Sequence, residues 1–121
     1  MQKKLFVITP LFFLVGCNTV LLGHYGEQNQ TLEAFAQRVE DVFRLQNSMT
    51  NAVMMLEDEP SDEILNAEQS MESACEPLNE YAAREIDGLS ADFKLQKRVE
   101  QTAISCEKAA QFLQNLLKHQ K

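Results

Sequence analysis

Two cysteines constrain this chain more tightly than any other pair of residues. With the hairpin taken as centred between Ser90 and Ala91, just after the turn Asp87-Gly88-Leu89-Ser90, Cys75 and Cys106 stand at equal distances on either side, and helical periodicity runs away in both directions. In an antiparallel pair of helices, positions equidistant from the connecting turn come to the same height. The two thiols are therefore predicted to face each other across a helix–helix interface. In an oxidising compartment such a pair closes to a disulfide, and a loop of this size stabilises the fold by roughly 3–4 kcal/mol in the chain-entropy treatment. In a reducing compartment the two residues instead fill core space as free thiols. The absence of a Cys-x-x-Cys spacing argues against a redox-active pair.

The helices on either side of the turn follow from apolar residues recurring at steps of three and four. A first pattern runs from Thr31 to Glu57 through Leu32, Phe35, Val39, Val42, Gln46, Met49, Val53 and Leu56, with Thr31 or Asn29 as its cap. The acidic run Glu57-Asp58-Glu59-Pro60-Ser61-Asp62-Glu63 interrupts it. Pro60 stops the first helix, and Ser61 followed by two acids favours the start of the next. The second pattern spans Asp62 to Ile86 through Ile64, Ala67, Met71, Cys75, Leu78 and Tyr81. Pro77 lies inside it and deprives the Ser73 carbonyl of a partner, so the helix either kinks there or divides. Gly88 suits the left-handed position beyond a helix C-terminus, and Ser90 suits the next N-cap. The third pattern runs from Ala91 to His119 through Leu95, Val99, Ala103, Cys106, Ala110 and Leu113. Acids on the second helix (Glu68, Glu72, Glu76, Glu80) against Lys94, Lys97, Arg98 and Lys108 on the third support pairing of these two. The predicted fold is all-α, a small up-down-up antiparallel bundle of three long helices over residues 31–121, the second kinked or split at Pro77, with one inter-helix disulfide.

The chain of 121 residues is one domain at most, and its formal charge is −7. That balance argues against nucleic-acid binding, which needs a basic face. It also argues against adsorption of the folded domain to anionic lipid.

The first residues, MQKKLFVITPLFFLVGC, place two lysines before an apolar run from Leu5 to Val15, the layout of a secretory signal. The stretch Leu14-Val15-Gly16-Cys17 resembles the lipobox of bacterial lipoproteins. The resemblance implies a signal peptide over residues 1–16, cleavage before Cys17, and a diacylglycerol thioether on that cysteine. Residues 17–30 then form a lipidated N-terminus and flexible tether. Removing residues 1–16 takes away two lysines and no acid, leaving a charge of −9. Asn18 after the cysteine implies sorting to the outer membrane rather than the inner, facing the periplasm. Several acyl chains hold a protein stably without a transmembrane helix. The alternatives are an uncleaved anchor over Leu5 to Gly23, long enough to span a bilayer, and a soluble secreted product.

Motifs of catalysis and cofactor binding are absent: no GxGxxG, P-loop, GxSxG or HExxH occurs. The two histidines, His24 and His119, belong to no ligand spacing, and the acidic run lacks the alternating oxygens and turn glycine of an EF-hand. No metal, cofactor or enzymatic activity is expected. Two features suit a partner. Met54 and Met55 extend apolar character beyond one helix face and either dock a protein or cap the core. Phe93 and Ile104 are eleven residues apart, hence on one face. They either meet a partner or a second copy of the chain, or pack against the first helix. The expected function is a membrane-anchored accessory or assembly factor that binds another envelope protein. Pilotin lipoproteins of secretion systems are similar in architecture alone. Conjugal exclusion and stress-related lipoproteins fit as alternatives, and a cofactor-carrying bundle fits less well.

Overall fold

Thr31, Ser61 and Asp92 each present a side-chain oxygen to a backbone N–H three residues ahead, and each opens a helix. The bonds run from Ala34 N to Thr31 Oγ1 at 3.2 Å, Ile64 N to Ser61 Oγ at 3.4 Å and Leu95 N to Asp92 Oδ1 at 2.8 Å. The computed structural model describes residue 28 and residues 30–120, and Cys17, its signal-like run and His24 lie outside the described residues. Within them the elements are α1 (Leu32–Met54), α2 (Asp62–Ile86) and α3 (Phe93–His119), packed as an up-down-up bundle.

The second helix has the bounds that its periodicity predicts, and it runs through Pro77 without dividing. Pro77 is itself buried, while Ser73, whose carbonyl loses its donor, is exposed and open to water. The other two helices differ from expectation at one end each. α1 stops at Met54 rather than Glu57, because Glu57, Asp58 and Glu59 would place three negative charges at the negative end of the helix dipole. α3 is capped by Asp92 and not by Ser90, since a carboxylate is the stronger acceptor and its charge favours a helix N-terminus.

The turn between α2 and α3 is a Schellman motif. Leu89 N donates to Arg84 O at 2.8 Å, Gly88 N to Glu85 O at 3.2 Å, and Gly88 takes φ of +69°. That turn sets the register in which Cys75 and Cys106, both fully buried, form a disulfide with Cα atoms 4.7 Å apart. Ile64, Met71 and Leu78 of α2 meet Leu95, Val99 and Leu113 of α3 in the same core. α1 covers this hairpin with Val42, Met49 and Val53, and it lies more along α3 than along α2.

Among the described residues Gln46 is the one buried polar side chain. Its Nε2 donates to Asn79 Oδ1 at 2.7 Å, joining α1 to α2, and its Oε1 lies 3.9 Å from Cys106 Sγ. An oxidised sulfur has no proton to give, so this last approach is a packing contact. On the surface Arg38 of α1 pairs with Glu107 of α3. Arg98 reaches Glu80 across the α2–α3 interface at 3.1 Å, one of the cross-helix pairs that the charge pattern suggests.

Two outcomes test these contacts. Replacing both Cys75 and Cys106 by Ala lowers unfolding stability by roughly 3–4 kcal/mol in urea titrations, the chain-entropy value for a loop of this size. A double-mutant cycle of Gln46→Ala and Asn79→Ala yields a coupling of about 1 kcal/mol, whereas additive losses would show that the bond contributes nothing.

Candidate functional site

Three antiparallel helices have two ends, and the chemistry exposed at those ends differs. At one end α1 finishes, α2 starts and α3 finishes. Met54 and Met55 are 76% and 82% exposed there. The helix turns Val53 into the core, so the next two side chains point away from it. The connection that follows carries Glu57, Asp58, Glu59, Asp62 and Glu63 without a base among residues 57–63. Gln120 Nε2 donates to Ser61 Oγ at 3.1 Å and ties the last residues of the bundle to this connection. The methionines thus stand beside a strongly negative loop on a fixed framework.

At the opposite end α1 begins, α2 finishes and α3 begins. Ile86 and Phe93 are 81% and 80% exposed there, and Leu32 and Leu89 are exposed as well. Leu32 and Ile86 continue the periodic stripes, yet they stand where the helices end and remain largely exposed. In a Schellman turn the residue in the place of Leu89 commonly tucks against the preceding helix; here it remains exposed. Below this end a cleft of ≈ 370 Å³ opens between the helices, lined by Leu32, Phe35, Val39, Tyr81 and Val99, with Glu100 at its edge. Burial, assisted by the charge of Glu85, pushes the Tyr81 phenol above its usual range, so it stays neutral in the cleft wall.

Of the predicted contact residues, Met54 and Met55 come together and remain accessible. Phe93 and Ile104 do not form one patch. Phe93 stands at the bundle end, whereas Ile104 is half-buried and shares a small crevice with Phe35 and Arg38 of α1. Leu32, Ile86 and Leu89 were not separable as exposed residues by periodicity, which carries no information on where the neighbouring helix stops. Among the described residues no three His, Cys, Asp or Glu side chains gather where they would hold a metal ion, and no helix is long and apolar enough to cross a membrane. No known protein family, curated protein or solved structure matches the chain.

Near the acidic end, burial followed by the charge of Glu72 raises the Glu68 carboxyl above its ordinary 4.5. A raised folded-state value favours the neutral form. Its stabilising contribution is complete below the unfolded value and is lost as pH rises through the folded one. Glu68→Gln is therefore expected to raise the melting temperature at pH 7, and the difference from the parent closes as pH falls below 4.5. Thermal melts across that range check it, and a pH-independent difference would refute the assignment.

Proposed function

We propose that this chain is a lipid-anchored protein of the bacterial envelope, attached through Cys17 and most consistent with the outer membrane. Its bundle acts as an accessory or assembly factor that binds another envelope protein. The reading of the anchor rests on the stretch Leu14-Val15-Gly16-Cys17 behind an apolar run. The reading of the bundle rests on Met54 and Met55, exposed on a disulfide-tied framework beside five acids.

Methionine is polarisable and adaptable, so two adjacent copies suit a hydrophobic recess of varied shape. The five acids next to them favour a partner whose recess is rimmed by Lys or Arg, which speeds encounter and rejects acidic surfaces. An accessory protein of this kind needs no reacting group of its own. It needs a rigid presenting end and a fixed location.

Crosslinking in the native envelope tests this reading. The parent should recover one stoichiometric protein, and Met54→Glu with Met55→Glu should reduce that recovery about tenfold, the effect of losing a modest apolar hot spot. Unchanged recovery in the double variant would move the contact elsewhere. A small molecule or metal retained by the purified protein would replace the reading with that of a carrier. Cys17→Ala should abolish lipid modification while leaving the bundle's melting temperature unchanged.

A further inference from the structure

The end of the bundle opposite the methionines exposes Leu32, Ile86, Leu89 and Phe93. They come from the start of α1, the end of α2, the following turn and the start of α3. The up-down-up topology brings these four places to the same end of the bundle, its apolar end face.

Two observations say what covers that face. The first is where the chain enters. Thirteen residues separate Cys17 from Thr31, and the fourteen steps between them span at most about 50 Å in any conformation. It joins the bundle at the first turn of α1, beside Leu32. The far end of α1 lies about 35 Å further on, at 1.5 Å per residue. A flexible chain of this length has an r.m.s. span of only about 20 Å, so a lipid on Cys17 favours contact of the nearer, apolar end with the bilayer over contact of the methionine end.

The second observation is charge. At this end Arg84, Lys94 and Lys97 stand against Glu33, Glu85, Asp87 and Asp92. The methionine end carries Glu57, Asp58, Glu59, Asp62 and Glu63 against Lys118. Anionic headgroups therefore repel the methionine end more strongly than the apolar one.

We infer that this end face rests on the lipid bilayer, with Ile86, Leu89 and Phe93 in the boundary between headgroups and acyl chains. The inference rests on the lipid anchor at Cys17 proposed above. Four side chains are too few to hold an acidic protein on a membrane unaided. Once the anchor is inserted, however, their contact is intramolecular and its effective concentration is high. The bundle then stands on the membrane, and Met54 and Met55 face outward.

The chain has no tryptophan, so single tryptophans report on each end. Phe93→Trp, Ile86→Trp and Met55→Trp replace exposed side chains and leave the core intact. Each lipid-bearing mature variant is placed in vesicles of phosphatidylcholine with anionic phosphatidylglycerol, with or without brominated acyl chains. Tryptophan at 93 or 86 should lose about half of its emission to bromine, as suits a side chain about 5–10 Å into the boundary region. Tryptophan at 55 should lose none. Unquenched emission at 93 and 86, with mass spectrometry showing the lipid on Cys17, overturns the inference and leaves the anchor standing. A second copy seated on the end face gives that same result, with a doubled mass in detergent. Equal quenching at 55 overturns it too, because the bundle then lies flat. A mature Cys17 without lipid overturns the anchor itself.

Discussion

The disulfide between Cys75 and Cys106 organises the bundle because of where it falls. It joins α2 to α3 at mid-length, two residues before the proline that deprives α2 of a hydrogen bond. The covalent tie is therefore close to the weakest point of the helix it holds. Its formation depends in turn on Gly88, whose left-handed backbone closes the hairpin. One residue more or less in that turn would rotate a helix by about 100° and carry one sulfur away from the other. A local backbone conformation and a distant covalent bond thus require the same register, and the apolar layers of Met71, Leu78, Val99 and Leu113 are assembled in it.

The two ends of the bundle share a core and differ in what they show. Geometry alone would make them equivalent, since each consists of helix termini and a connection. Sequence makes them different. Two adjacent methionines beside five acids mark one end, while Leu32, Ile86, Leu89 and Phe93 amid a more even charge mark the other. On the proposed lipid anchor, that polarity would give the ends different surroundings, a membrane at one and a protein partner at the other. Neither of these proposed roles asks for a cluster of reactive groups.

Periodicity made the three helices and most of their buried faces legible, because burial along the middle of a bundle repeats with every turn. The second helix was readable to the residue because Ser61 and Gly88 mark its two boundaries through separate mechanisms, a side-chain cap and a left-handed turn. The end of α1 and the cap of α3 depended on competition between neighbours: acids against the dipole in one case, Asp92 against Ser90 in the other. A stripe of apolar residues also says nothing about how far its neighbours extend. Leu32 and Ile86 therefore looked like core and proved exposed, and Phe93 and Ile104 shared a face in the sequence yet separated in the fold. The bond from Gln46 to Asn79 had no sequence signal beyond a polar residue in an apolar stripe.

The way α1 is fastened gives the bundle a mechanical direction. α2 and α3 are covalently joined, whereas among the described residues α1 is held to them by apolar side chains, the Gln46–Asn79 bond and the Arg38–Glu107 pair, with no cross-link. The segment leading to Cys17 leaves from one end of α1, and Met54 and Met55 stand at its other end. A tensile load applied between these two places travels along α1 and shears it against the hairpin, while the disulfide remains outside the load path. Under such a pull α1 yields first and the tied pair persists, so the domain parts in a fixed order set by which of its helices shares the cross-link.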